Sequence, residues 1–176
     1  MAASDQRSSD GPGVRPPEMG ITEILNSPRR VVFKTWTDPL HVAQWWGPEG
    51  YTNPVCQWDA RPGGAIHIDM RAPDGAVYPM GGVFHEVVEP EWLDFTTTAH
   101  ANAEGSDWLE VRHNVTFEEH DGKTKLTLKS RVVKSTPATA DALAGMEKGW
   151  RESFDRLMEE SWKQSFDRLA EELARW

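Results

Sequence analysis

Residues 35–48 read Thr-Trp-Thr-Asp-Pro-Leu-His-Val-Ala-Gln-Trp-Trp-Gly-Pro and bring three tryptophans close together. The adjacent pair, Trp45 and Trp46, carries more apolar surface than an exposed segment can hold without losing stability. Asp38-Pro39 has the form of a helix start, and Gly47-Pro48 ends a helix. The stretch therefore predicts a short helix whose tryptophans enter a large apolar hollow in the fold.

A strand and a first helix are predicted just before this stretch. Residues Ile21–Asn26 form the strand. Ser27-Pro28 then places a capping serine before a proline at the first helical position, which is a typical helix start. The large apolar side chains of that helix are Val31, Val32, Phe33 and Trp36.

Alternation with a period of two dominates the chain after Tyr51. It predicts strands at 65–71, 77–88, 92–100, 108–118 and 124–133. These strands follow one another through short turns, so the sheet is expected to be antiparallel. Gly81-Gly82 is expected to mark a bulge or a sharp bend, and Gly63-Gly64 would also allow the sheet to curve.

A long last helix is predicted to begin near Thr139. Its apolar residues recur at steps of three and four: Leu143, Met146, Trp150, Phe154 and Leu157. A sheet with one apolar face must be covered, and this helix is the obvious cover. The predicted fold class is α+β, a curved antiparallel sheet wrapped around a long C-terminal helix. Because a curved sheet and a helix do not meet everywhere, we expect an apolar cavity between them, closed at one end by Trp45 and Trp46.

Composition and charge exclude several kinds of protein. The 176 residues suffice for one domain with tails. A net charge of −9 argues against a nucleic-acid partner. The single cysteine, Cys56, excludes an internal disulfide and is typical of a reducing compartment. No stretch is long and apolar enough to span a membrane, and the N-terminus lacks the apolar region of a secretory signal, so we expect a soluble, cytoplasmic protein.

The chain is expected to divide into three parts. Residues 1–20 are predicted to be disordered, residues 21–157 to form the ligand-binding domain, and residues 158–176 to extend the last helix. The sequence of residues 150–157 recurs in similar form at 162–169, an offset of 12 residues. Twelve helical steps rotate the second copy by roughly 120°, so both copies cannot face one sheet on a straight helix. Either a local duplication lengthened the helix, or the second copy docks against another subunit in a homodimer.

Several motifs resemble, in order and spacing, those of a known family. Residues 32–39, followed by residues 45–48, are similar to the N-terminal signature of bacterial proteins related to the activator of heat-shock protein 90 ATPase. Further similar motifs are residues 61–64, 73–75, 82–88 and 145–150. The resemblance implies the helix-grip fold of START lipid-transfer domains, the birch-pollen allergen family and aromatic polyketide cyclases. It implies much less about activity, because one fold hosts many functions.

Eight residues are predicted to line the cavity and bind a ligand: Trp36, Trp45, Trp46, Phe84, Phe95, His113, Trp150 and Phe154. His113 lies between Val111 and Val115 on an apolar strand face. It is either a core histidine with satisfied hydrogen bonds or a group that faces the cavity as an acid, a base or a hydrogen-bond donor. His85 and Glu86 are neighbours on one strand and face opposite ways, so at most one of them can enter the cavity.

No metal or cofactor site is predicted. The six histidines have no zinc-ligand spacing. Arg61-Pro62-Gly63-Gly64 precedes a strand rather than a helix N-terminus, so it does not form a phosphate-binding loop.

Three functions remain open. Binding of a small hydrophobic molecule, a lipid or an aromatic compound, is favoured because the sequence contains no catalytic constellation. A cofactor-free enzyme of the cyclase, hydrolase or isomerase type would use His113 or Glu86 for proton transfer. The third is a co-chaperone-like stress-response protein, which the resemblance implies. It is disfavoured because the named activator contacts its chaperone through a further domain, which the segment before Ile21 is not expected to form.

Overall fold

The computed structural model describes residues 18–100, 108–137, 144–157 and 159, and within them the chain forms seven strands and three helices. The strands are β1 (Glu18–Leu25), β2 (Thr52–Trp58), β3 (Ala65–Arg71), β4 (Val77–Val88), β5 (Trp92–His100), β6 (Trp108–His120) and β7 (Lys123–Lys134). The helices are α1 (Arg29–Thr37), α2 (Pro39–Trp45) and α3 (residues 144–157). The predicted α+β class is confirmed.

All seven strands belong to one antiparallel sheet, in the order β1-β7-β6-β5-β4-β3-β2. From β2 to β7 each strand pairs with the next one along the chain, while β1 pairs with β7. Because β1 and β2 lie at opposite edges, the segment between them must cross the sheet, and α1 and α2 make that crossing. The predicted antiparallel sheet is confirmed.

The main hydrophobic core joins the inner face of the sheet to the three helices, and Leu109, Val111 and Val132 form a second, smaller cluster. On β6 the buried positions are the alternating ones that the sequence predicted: Leu109, Val111, His113, Val115 and Phe117. From α3, Trp150, Phe154 and Leu157 enter the same core. The C-terminal helix therefore covers the apolar face of the sheet, as expected.

The first strand begins earlier than predicted. β1 starts at Glu18 rather than Ile21, because Glu18–Gly20 continue the ladder with β7. The side chain of Met19 is buried, so this part of the chain has an apolar anchor that the polar composition of residues 1–20 concealed.

The predicted cap of α1 is wrong, whereas the predicted start of α2 is confirmed. Pro28 rather than Ser27 occupies the N-cap position of α1, and no side chain caps that helix. Ser27 is buried, and its carbonyl oxygen accepts a hydrogen bond of 2.7 Å from the hydroxyl of Thr124. At α2, Asp38 is the N-cap and its carboxylate accepts a hydrogen bond of 2.9 Å from the backbone N–H of Leu40.

The bulge expected at Gly81-Gly82 lies elsewhere. Both glycines pair in register with β3 and β5, and the register shift between β4 and β5 falls at His85. Gly82 lacks a side chain for a different reason: a Cβ atom there would collide with the backbone carbonyl of Thr96. The glycine thus permits a close approach of two strand backbones.

Three predictions concern segments outside the described residues. They are the disorder of residues 1–17, the start of the last helix near Thr139, and the contacts of the repeated segment 162–169. A role of that repeat in forming a homodimer stays a prediction.

Candidate functional site

A cluster of aromatic side chains fills the interior beneath α1 and α2. Trp36 lies at its centre, fully buried, with its ring 4.7 Å from that of Trp45 and 6.2 Å from that of Trp150, on which it stacks. The rings of Phe117 and Phe154 meet Trp36 edge-on at 6.2 and 6.1 Å. This end of the core is closely packed.

Backbone carbonyls hold two of the indole N–H groups in this cluster. Trp45 Nε1 donates to the carbonyl oxygen of Thr35 at 2.8 Å, and Trp58 Nε1 donates to that of Trp36 at 2.7 Å. Such a partner replaces the water that an indole N–H group loses on burial, whereas Trp36 Nε1 has no partner among the described residues. The two bonds also fix α1 to α2 and to β2.

Arg156 of α3 anchors the end of α2 and the turn after it. Its guanidinium donates to the carbonyl oxygens of Gln44, Trp46, Gly47 and Pro48 at distances of 2.7 to 3.2 Å. Burial lowers the pKa of this guanidinium. These carbonyls include unpaired ones at the end of a helix, where a cation is favourable. The anchor holds Trp46 and Pro48 against α3.

A cavity of about 160 Å³ lies between this turn, the sheet and α3. Its described lining is predominantly apolar and contains no charged side chain. The lining residues are Trp46, Gly47, Pro48, Met70, Met80, Thr97, Ala99, Leu109, Val111, His113, Met146, Gly149, Trp150 and Ser153. On one side Pro48, Met70, Ala99, Met146 and Gly149 are partly exposed, so that side is nearest the surface.

Three of the eight predicted ligand-binding residues line this cavity: Trp46, His113 and Trp150. The other five do not line it and belong to the packed core: Trp36, Trp45, Phe84, Phe95 and Phe154. The prediction selected large aromatic side chains. In this fold most of these residues pack against one another, and most of the cavity lining consists of smaller side chains.

Several lining residues were missed by the sequence analysis. Thr97 and Ala99 continue the inward set of β5 after Phe95, so the period of two had already placed them on the inner face. Three methionines, Met70, Met80 and Met146, come from three different elements. No local signal marks them, because their meeting depends on the pairing of β3 with β4 and on the placement of α3.

His113 lies at the boundary between the packed cluster and the cavity. It is fully buried, with its ring 4.9 Å from Phe95 and 5.3 Å from Trp150. Its two ring nitrogens meet two hydroxyls, since Nε2 lies 2.8 Å from Thr97 Oγ1 and Nδ1 lies 2.7 Å from Ser130 Oγ. Burial lowers the pKa of His113 to about 3, so the ring is neutral at pH 7. This geometry is that of a core histidine with satisfied hydrogen bonds.

His85 and Glu86 both lie outside the cavity lining. The bulge at His85 breaks the simple alternation, and both side chains are exposed. His85 Nε2 lies 2.6 Å from Thr96 Oγ1, and Glu86 accepts a hydrogen bond of 3.2 Å from Trp92 Nε1. Neither group can therefore reach a molecule held in the cavity.

A second cleft, of about 460 Å³, lies beside α1 and the end of β2. Its lining includes Arg30, Lys34, Asp59 and Glu89, all of them exposed. Charges of both signs in contact with water are typical of an ordinary solvated surface. The apolar cavity is the better candidate for a binding site.

The described residues contain neither a metal site nor a membrane-spanning helix. Across the described part of the chain, no group of three His, Cys, Asp or Glu side chains could hold a metal ion. None of the helices that the structure describes is long and apolar enough to cross a membrane.

Known proteins share both the sequence pattern and the fold. The family model described as Activator of Hsp90 ATPase homolog 1-like protein matches residues 26–161. No curated protein matches the chain. Among solved structures, the AHSA1 protein from Silicibacter pomeroyi superposes with a TM-score of 0.73 at 22% identity, and the match covers 84% of this chain and 99% of that one.

Two further solved structures show the same fold. A protein from Arthrobacter aurescens superposes with a TM-score of 0.70 at 22% identity, over 83% of this chain and 86% of that one. A protein from Mycobacterium smegmatis does so with a TM-score of 0.66 at 25% identity, over 82% and 87%. At such identities the likeness concerns the fold, and the function has to be argued from the cavity.

Proposed function

The chain belongs to the family of Activator of Hsp90 ATPase homolog 1-like proteins, and we propose that it binds a small, neutral, hydrophobic molecule between the sheet and α3. The observation that carries this proposal is the apolar cavity of about 160 Å³. A concave, mostly apolar space with a few polar groups is the usual form of a small-molecule site. The faces of Trp46 and Trp150 would contact the guest.

The size of the cavity favours a ring over a long chain. An engineered apolar cavity of roughly 150 Å³ takes up benzene, and the cavity here is of similar volume. A long acyl chain would need several times that space. The absence of charged side chains from the described lining favours an uncharged guest, because a buried unpaired charge is strongly unfavourable.

Proton-transfer catalysis receives no support from the described lining. The neutral ring of His113 has both nitrogens engaged by hydroxyls, and Glu86 lies outside the cavity. A general base must reach the proton that it removes. Binding is therefore the function that the geometry supports best.

Calorimetric titration with α-methylstyrene, a planar hydrocarbon about the size of the cavity, tests the proposal. We expect saturable 1:1 binding with a dissociation constant of about 0.1–1 mM. Dodecan-1-ol serves as the long-chain comparison and should bind more weakly.

Val111→Phe is the matched blocking variant, because position 111 lines the cavity and a phenyl group there would occupy it. Its fold is checked by circular dichroism. Absence of saturable α-methylstyrene binding, or binding that Val111→Phe leaves unchanged, would overturn the proposal.

A further inference from the structure

The cavity has one hydroxyl that is backed by a chain of hydrogen bonds. Thr97 lines the cavity, and its Oγ1 lies 2.8 Å from His113 Nε2. On the far side of the ring, Nδ1 lies 2.7 Å from Ser130 Oγ. Ser130 is fully buried on β7, so the chain Ser130–His113–Thr97 runs from the interior of the sheet to the cavity.

The donor and the acceptor in each of these two hydrogen bonds follow from which hydroxyl protons have an acceptor. A neutral imidazole donates from one nitrogen and accepts at the other. Among the described residues, Ser130 Oγ has a single hydrogen-bond partner, Nδ1 of His113. If Nδ1 carried the ring proton, the buried hydroxyl of Ser130 would have no acceptor, which is the costlier arrangement.

The less costly arrangement places the ring proton on Nε2, because the one hydroxyl proton left without an acceptor then belongs to Thr97, which lines the cavity, rather than to Ser130 in the interior of the sheet. Ser130 then donates to Nδ1, and Nε2–H of His113 donates to Thr97 Oγ1. Thr97 has accepted a hydrogen bond, so its own proton is free to be donated into the cavity. Ser153, the other hydroxyl of the described lining, donates instead to the carbonyl oxygens of Gly47 and Gly149 at 3.1 and 2.9 Å.

We propose that Thr97 is a specificity-determining hydrogen-bond donor, and that the guest is a compact, planar, hydrophobic molecule with one acceptor group such as a carbonyl oxygen. Ser130 and His113 are positioning residues that hold the Thr97 hydroxyl in the donor orientation. This inference rests on the proposed function, since it specifies which hydrophobic molecules the same cavity prefers.

The first test is the tautomer of His113 in the unmodified protein. Nitrogen-15 NMR at pH 7 distinguishes a protonated ring nitrogen from an unprotonated one. We expect the proton on Nε2. A proton on Nδ1 would reverse the chain and overturn the inference without any mutation.

The second test compares two probes of nearly the same shape. Acetophenone carries a carbonyl oxygen where α-methylstyrene carries a methylene group. Because acetophenone also loses the hydrogen bonds of its carbonyl oxygen to water, the contribution of Thr97 is read from the ratio of the two affinities, which should favour acetophenone by several-fold to roughly tenfold more in the unmodified protein than in Thr97→Val.

Thr97→Val removes the hydroxyl at nearly constant volume and should reduce the preference for acetophenone, by weakening the binding of acetophenone several-fold more than that of α-methylstyrene. Thr97→Ser keeps the hydroxyl and should retain it. Circular dichroism and binding of α-methylstyrene show that each variant is folded with its cavity intact. Should Thr97→Val destabilise the protein, the tautomer of His113 in the unmodified chain still decides the matter.

The outcomes separate this inference from the proposed function. An affinity ratio of the two probes that is the same in the unmodified protein and in Thr97→Val overturns the role of Thr97 while leaving the cavity a binding site. Failure of both probes to bind the unmodified protein overturns the proposed function as well.

Discussion

The space between the sheet and α3 has two ends that are packed differently. Side chains fill one end, the packed end, and the other end, the hollow end, contains the cavity. At the packed end, Trp36, Trp45, Phe117 and Phe154 meet ring against ring under α1 and α2. At the hollow end, the same sheet face and the preceding turns of α3 enclose a cavity of about 160 Å³. Both ends lie between the same sheet and the same helix, and they differ only in their position along the strands.

The side chains on β5 show how the difference arises. The inward-facing residues are, in order, Leu93, Phe95, Thr97 and Ala99, so the side chains become smaller toward the hollow end. On β4, position 82 is a glycine two residues from Phe84. The aromatic residues from α1 and α2 fill the first end, while the second has no comparable aromatic cluster among the described residues. The cavity therefore forms where the inward-facing positions of the strands no longer carry large side chains.

The largest effect is expected from a deletion at the packed end. Trp36→Ala should lower the free energy of unfolding by about 3–5 kcal/mol, because it removes the ring at the centre of a close-packed cluster. Leu109→Ala, which enlarges a space already present, should cost nearer 2 kcal/mol. Urea denaturation measures both. Equal costs would show that the two ends are packed alike.

Acidification probes the boundary between the two ends. The pKa of His113 is about 3 in the folded protein and about 6.5 in the unfolded chain. Between these values the unfolded chain binds a proton that the folded protein does not, so stability falls as the pH is lowered. From pH 7 to pH 5 the loss from this group should be about 2 kcal/mol.

His113→Gln is the control for this pH dependence. It removes the titrating ring, and the other histidines are common to both proteins. The difference in unfolding free energy between pH 7 and pH 5 should therefore shrink in the variant. An unchanged difference would mean that His113 titrates in the folded protein as it does in water.

Enlarging one valine on β6 should have different consequences at the two ends. Val115→Phe adds bulk where Val115 is fully buried in the packed core, and should destabilise the protein by about 1–3 kcal/mol. Val111→Phe adds the same bulk beside the cavity and should change stability by less than about 1 kcal/mol. Thermal denaturation compares the two variants. A similar loss in both would contradict the existence of usable space at position 111.

The smallest effects are expected from two glycines of α3. Gly145→Ala and Gly149→Ala should each stabilise the helix by up to about 1 kcal/mol, because alanine is the better helix former. Outside α3 itself, a Cβ atom at either position meets no backbone of the described residues, and at 149 the nearest such atom is Pro48 Cγ at 3.9 Å. Gly149 lines the cavity, so its variant alone should weaken α-methylstyrene binding. Equal affinity in both variants would place the guest away from α3.

Much of the fold could be predicted because its signals are local. The alternation on β6 identified its buried residues, and Asp38-Pro39 marked the start of α2. The cap of α1 and the bulge on β4 could not be located in the same way. The backbone at Ser27 is held by a hydrogen bond from Thr124, 97 residues away, and the bulge at His85 reflects how β4 is paired with β5.

The sequence by itself determined which residues face inward, since a period of two on strands and of three to four on a helix follows from backbone geometry alone. Tertiary structure decided which inward residues touch one another and which border empty space. Trp36 and Trp46 carry the same side chain a few residues apart, yet one is enclosed by other rings and the other lines the cavity. That outcome depends on the crossing of α1 and α2 over the sheet and on the anchoring of their end by Arg156, contacts between residues more than a hundred positions apart.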